Sequence, residues 1–181
     1  MREETPISGP HAHDASSVGG IMVLVMAALL PATLFGVYLY GWPALNLLVV
    51  TVLTAVLAEA ACLRIAGKPL TPHLMDGSAV LSGWLLAMTL PPWAPWWIGV
   101  VGALLAIVVA KQVFGGIGQN PFNPAMVARV AMLIAFPLEM TIFTAPQPLF
   151  SADAPGFIDG LHITFGGAVQ IDAVSSASTL S

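Results

Sequence analysis

Charge is what this sequence has least of. Only 8% of its 181 residues are charged, 5 basic and 9 acidic, against about 25% in a soluble domain. With 57% hydrophobic residues and a mean hydropathy of +0.90, it has too few polar groups to cover a globular surface. The lipid bilayer is the expected solvent. A net charge of −4 and the lack of any basic stripe exclude nucleic acid as a partner, because phosphates need cations opposite them. Cysteine is almost missing. A lone Cys62 excludes an internal disulfide and a self-contained iron–sulfur cluster, which takes about four thiolates; it reads as a small packing residue. His11, His13, His73 and His162 fall in aqueous segments, so no bis-histidine haem is expected. Nothing groups into a metal site or a catalytic constellation. The polar N-terminus lacks the basic start of a cleavable signal peptide, so the first apolar run is expected to stay as an anchor.

What is present in quantity is long apolar runs. A bilayer crossing needs roughly 20 such residues, and five candidates occur, at about 18–40, 43–63, 77–91, 93–113 and 124–143. The fold class expected is an all-α integral membrane protein of about five helices. It divides into a cytoplasmic segment at 1–17, a membrane domain at 18–143 and an external loop at 144–181. Basic residues favour the cytoplasmic side. Arg64, Lys68 and Lys111 therefore put both the N-terminus and the 64–76 loop inside, and the acidic tail, free of Lys and Arg, outside in the periplasm. Trp42, Trp93, Trp96 and Trp97 then gather at the outer boundary, where indole rings favour the headgroup layer. Five spans are an odd number, and duplicating an odd unit inverts it. The chain is thus expected to be one half of an inverted-repeat fold.

One window breaks the apolar pattern: "GGIGQNPFNPAM", residues 115–126. Each Asn-Pro pair reads as a helix start, Asn as cap and Pro as first helical residue, with Asn123 the better cap. The glycines ahead permit positive φ. A helix N-terminus offers free N–H groups and the positive end of a dipole. Arg129 lies about 7.5 Å along that helix at 1.5 Å per residue, so its charge is available to the same site. Two readings stand. Either 120–129 lines a protein-enclosed cavity, the condition for irregular backbone at membrane depth, or it is a cytoplasmic loop with Arg129 snorkelling to the interface. Glu59, inside the second run, is likewise either an interfacial acid or part of an ion path. Asp76 opens the third run as a carboxylate on a helix N-terminus.

The stretch "KQVFGGIGQNPFNPAMVARV" resembles the signature of the D subunits of Rnf-type electron-transport complexes, relatives of the B subunit of the sodium-translocating NADH:quinone oxidoreductase. "SGPHAHD", "IMVLVMAALLP", "DGSAVLSGWLLAMTLPPWAPWW", "PGFIDGL" and "DAVSSASTL" extend the likeness in collinear order. The resemblance implies a multi-pass subunit of the bacterial inner membrane. Its complex passes electrons between ferredoxin and NAD, coupled to sodium or proton movement, and the other subunits of that complex are its partners. It also implies flavin mononucleotide (FMN) held by a phosphoester on an external hydroxyl, attached by a periplasmic flavin transferase. A second, non-covalent flavin within the membrane is allowed, with Asn120, Asn123 and Arg129 as its candidate residues. The attachment motif is approximately Asp-x-x-Ser-x-Ala-Thr. It falls here on Asp172, Ser175, Ala177 and Ser178, which makes Ser178 the expected acceptor and Thr179 the runner-up. The resemblance also implies a protein of about twice this length and roughly ten spans, whereas this sequence stops just past the motif. Two other functions fit the residues alone: half of a secondary transporter, from the span count and broken helix, or a non-redox assembly subunit.

Overall fold

A computed structural model describes residues 18–151 and 154–166. Among these residues the structure is helical throughout, without strands. The N-terminal segment 1–17 and the attachment run 172–179 lie outside them.

α1 (Val18–Ile65, 48 residues) is broken once, at Gly41, with φ 73° and ψ −157°, backbone space that essentially only glycine enters. The chain reverses there. Contacts with α3 (Ser78–Ala87) show the reversal. Met22 and Met26 lie beside Gly77, at the start of α3. Farther along, the Trp84 indole donates to Thr33 Oγ1 at 2.8 Å. Trp93, beyond α3, donates to the Tyr40 carbonyl at 2.9 Å. The first half of α1 therefore runs with α3. The second half runs against it, with Thr51, Val52 and Ala55 around Gly83 and Glu59 near Ser78. The break strands the last carbonyls of the first half. Trp93 takes the one on Tyr40, and the Leu149 N–H takes the one on Tyr38 at 2.9 Å.

The second half buries Leu47, Thr51, Ala55, Glu59 and Leu63, a four-residue spacing that keeps one face of a helix inward. Small residues let the helices close up, as in lipid, where association relies on packing rather than on a hydrophobic drive. A Cβ built at Gly83 would stand 2.8 Å from the Ala55 Cβ. The first half leaves Leu24, Leu34 and Phe35 exposed, an outward face suited to lipid.

After α2 (Leu70–Leu74) and α3 comes a continuous helical run, Trp96–Phe114. It opens as α4 (Trp96–Leu104) and passes through a π-turn at Leu105–Val109. Among the described residues, α1 and this run are the two helices long and apolar enough to cross a bilayer. The remaining expected spans are shorter. α3 has 10 residues, about 15 Å at 1.5 Å each, half of a ~30 Å hydrocarbon core. The expected span 124–143 is α5 (Pro124–Ala135), then α6 (Pro137–Thr141). Pro137 divides them: it has no N–H to give, and it pushes Phe136 out of helical geometry, to φ −133° and ψ 63°. The expected external loop contains a helix of its own, α7 (Phe157–Phe165). It lies over the bend of α1, with Phe157 edge-on to Trp42 at 5.2 Å between centroids and Gly160 against the Trp42 side-chain stem. The core is Leu47, Leu86, Ile98, Met132 and Met140.

Candidate functional site

The two half-length helices α3 and α5 have their N-termini on the wall of one cavity. Asp76 Oδ1 accepts from the Ser78 N–H at 2.8 Å and from its hydroxyl at 2.6 Å. This is the dipole-matching carboxylate expected from the sequence. At α5, Asn123 is the cap, with its Oδ1 accepting from the Ala125 N–H at 3.0 Å. Asn120 caps no helix; its amide folds onto the Phe122 carbonyl at 2.7 Å. The loop ahead turns on Gly115, Gly116 and Gly118, all at positive φ, and the Lys68 ammonium reaches the Gly115 carbonyl at 3.3 Å.

Between these ends lies a cavity of about 210 Å³, with Ser78, Ser82, Lys111, Asn120 and Asn123 on an otherwise apolar wall that includes Leu81 and Ile117. Lys111 is the unexpected member. Its position at the end of an apolar run reads as a loop cation, yet it is 2% exposed. The π-turn explains its direction. The Ala110 N–H bonds back to the Leu105 carbonyl at 3.0 Å, so one extra residue is taken into the turn and the residues after it rotate. Lys111 thereby points into the protein. Its Nζ donates to Glu59 Oε2 at 2.7 Å and to Ser78 Oγ at 2.7 Å. Gln112 Nε2 donates to the other oxygen, Glu59 Oε1, at 2.8 Å. Glu59 is 2% exposed. Of the two readings of this acid, the interfacial one gives way to a buried ion pair, since two charges out of water persist only when matched and hydrogen-bonded. The network runs unbroken from Asp76 through Ser78, Lys111 and Glu59 to Gln112.

Arg129 faces elsewhere. Its guanidinium donates to the Thr89 carbonyl, just past the carboxyl end of α3, and it is not on the cavity wall. A cation there complements the negative end of the helix dipole. Asn120 and Asn123 are thus brought together and Arg129 is not. Asp172, Ser175, Ser178 and Thr179 fall outside the described residues. A larger cavity, about 270 Å³, opens between the halves of α1 near Thr33, Tyr40, Met88 and Phe143. It has no charged side chain on its wall, so the smaller, charged cavity is the site with chemistry. The Glu59–Lys111 pair was accessible to sequence reasoning through one signal: opposite charges in or at the end of two apolar runs, each costly alone in a membrane.

Residues 5–181 match the NQR2, RnfD, RnfE family. The D subunit of the ion-translocating oxidoreductase complex of Halorhodospira halophila is 61% identical over 174 residues, 96% of this chain and 49% of that protein. Its counterpart in Rhodobacter capsulatus is 57% identical over 176 residues, 97% of this chain and 49% of its own length. That of Citrobacter koseri is 40% identical over 184 residues, 96% and 52% respectively. The chain spans about half the length of the curated relatives it matches.

Proposed function

We propose a function from one premise: this chain belongs to the NQR2, RnfD, RnfE family. It serves as a membrane subunit of an ion-translocating oxidoreductase complex in the bacterial inner membrane, working with the other subunits of that complex. Electron transfer between ferredoxin and NAD is coupled there to sodium or proton movement. The observation that carries this reading is 61% identity, over 96% of the chain, to the D subunit of such a complex. In this reading the protein comprises five membrane-embedded segments, α3 and α5 among them as half-length elements. They form one half of an inverted repeat, with the N-terminus cytoplasmic and residues 144–181 periplasmic.

The external segment carries FMN through a phosphoester on Ser178, with Thr179 as runner-up, attached by a periplasmic transferase. Asp172 and Ser175 belong to the motif that the transferase reads. A second, non-covalent flavin fits the charged cavity. A flat heteroaromatic ring needs apolar faces and a few hydrogen-bond donors at its edge, and the wall supplies Leu81 and Ile117 for the first, and Asn123, Ser82 and Lys111 for the second. Its volume is below the ~300–1,000 Å³ of a usual ligand cleft, so it takes the edge of the ring and leaves the rest outside. When bound, flavin supplies a carrier of electrons. Asn120 and Asn123 position it, and Arg129 acts indirectly, by holding α3.

In-gel flavin fluorescence after denaturation tests the attachment, with a transferase co-expressed. Loss of signal in Ser178→Ala but not in Thr179→Ala is expected. No signal in the unsubstituted chain, beside a labelled full-length relative, overturns it. A second reading, half of a secondary transporter, draws on one observation: two short helices whose N-termini line one cavity, a pattern of transporter binding sites. Solute flux from a colourless protein would favour that reading. A colourless protein with neither flux nor redox change would be an assembly subunit.

A further inference from the structure

Lys111 has a feature that a purely structural ion pair does not need. An ammonium carries three donors, and among the described residues Nζ spends two, on Glu59 and Ser78. Lys111 lies on the cavity wall, and Glu59 does not. The pair is therefore oriented, with its positive end at the cavity and its negative end behind, held by Gln112. The π-turn that aims Lys111 is itself a costly departure from α-helix, of the kind frequent at functional sites. Lys111 itself is almost fully buried, and a fixed charge held out of water acts far more strongly than it would in solution.

We infer that Lys111 stabilises negative charge on a ligand reduced in this cavity, and that Glu59 holds it in place while the ligand is uncharged. The inference rests on the flavin reading of the cavity. An electron donor in the complex is oxidised by two electrons, and the ring takes up both with one proton from water, which leaves it with one negative charge. Lys111 keeps its proton and its bond to Glu59 throughout, and turns its third N–H to the ring edge. Reduced flavin is thereby held more tightly than oxidised flavin.

The test uses the full chain, purified in detergent and titrated with riboflavin, both oxidised and dithionite-reduced, without oxygen. Riboflavin has no phosphate, so a parallel titration with FMN separates recognition of the ring's charge from recognition of a phosphate. Changing Glu59→Gln and Lys111→Gln together removes both charges and keeps the polar atoms. The ratio of reduced to oxidised affinity should then fall about tenfold, equivalent to ~30 mV for a two-electron couple. Glu59→Gln alone should raise the ratio, and Lys111→Arg should leave it near the parent value. A pair that merely clamps α1 to the run after α4 would weaken both redox forms equally, and that outcome overturns the inference while the flavin reading stands. A loss confined to FMN means Lys111 reads a phosphate, and also overturns it. Failure of the unsubstituted chain to bind riboflavin at all removes the flavin reading, and this inference with it.

Discussion

Glu59 and Lys111, 2.7 Å apart, show how one side chain depends on another where water is scarce. Removing one member of such a pair leaves a charge buried without its counter-ion, at a cost of about 3–5 kcal/mol, whereas replacing both with apolar groups can be neutral. Lys111→Met should therefore lower the unfolding midpoint in detergent sharply. Lys111→Met with Glu59→Leu should recover most of the loss, and a double variant no more stable than the single one would show that the pair is not the cause. Arg129 makes a different kind of contact, one charged donor on one carbonyl of a neighbouring helix, worth about 1.5–3 kcal/mol. Arg129→Leu should insert into the membrane normally and reduce electron transfer by the assembled complex. Equal losses of membrane-inserted protein and of electron transfer would mean that the arginine serves assembly alone.

At the scale of helices, local chemistry was readable and register was not. Asn123 and Pro124 announce a helix start by residue type alone, and the cap is formed as expected. Asn123→Ala should cost about 0.5–2 kcal/mol of stability. Asn120→Ala, which removes no cap, should cost less in the same melting experiment. The glycines at 115, 116 and 118 likewise take the positive φ their type permits. Pro137 was in plain view inside the run 124–143, but apolar content outweighed it; its missing N–H ends α5 regardless of hydropathy. The direction of Lys111 was hidden for another reason. A π-turn of Leu, Ala, Ile and Val carries no residue that marks it, so counting at 3.6 residues per turn gives the wrong face after Val109. The Gly41 break is intermediate. "GWP" reads as an end of a helix, but only the structure shows the reversal completed by a single residue. Gly41→Ala should cost about 1–3 kcal/mol, the usual strain of backbone in that region, measured as a lower melting temperature.

For the molecule as a whole, orientation now rests on fewer charges. With Lys111 buried in its ion pair, Arg64 in the last turn of α1 and Lys68 before α2 remain as the basic residues at that end, and both are exposed. Two exposed cations still favour a cytoplasmic placement of that end, and in the proposed orientation Gly41, Trp42 and α7 lie at the periplasmic face. A reporter fused after Ser181 should behave as periplasmic; cytoplasmic behaviour would also remove Ser178 from the reach of a periplasmic transferase. The turn at Gly41 bears on how such a protein is made. Two of the carbonyls it strands are taken up by Trp93 and by Leu149, both of which leave the ribosome after the hairpin does. Until then those groups must stay in contact with water or headgroups, because bare carbonyls in hydrocarbon cost several kcal/mol each. Biogenesis therefore has an order written into it: the hairpin goes in early with its tip wet, and the tip is sealed only after synthesis passes Leu149. Nascent chains arrested before that residue should expose the tip to protease from the periplasmic side, and chains arrested well after it should not.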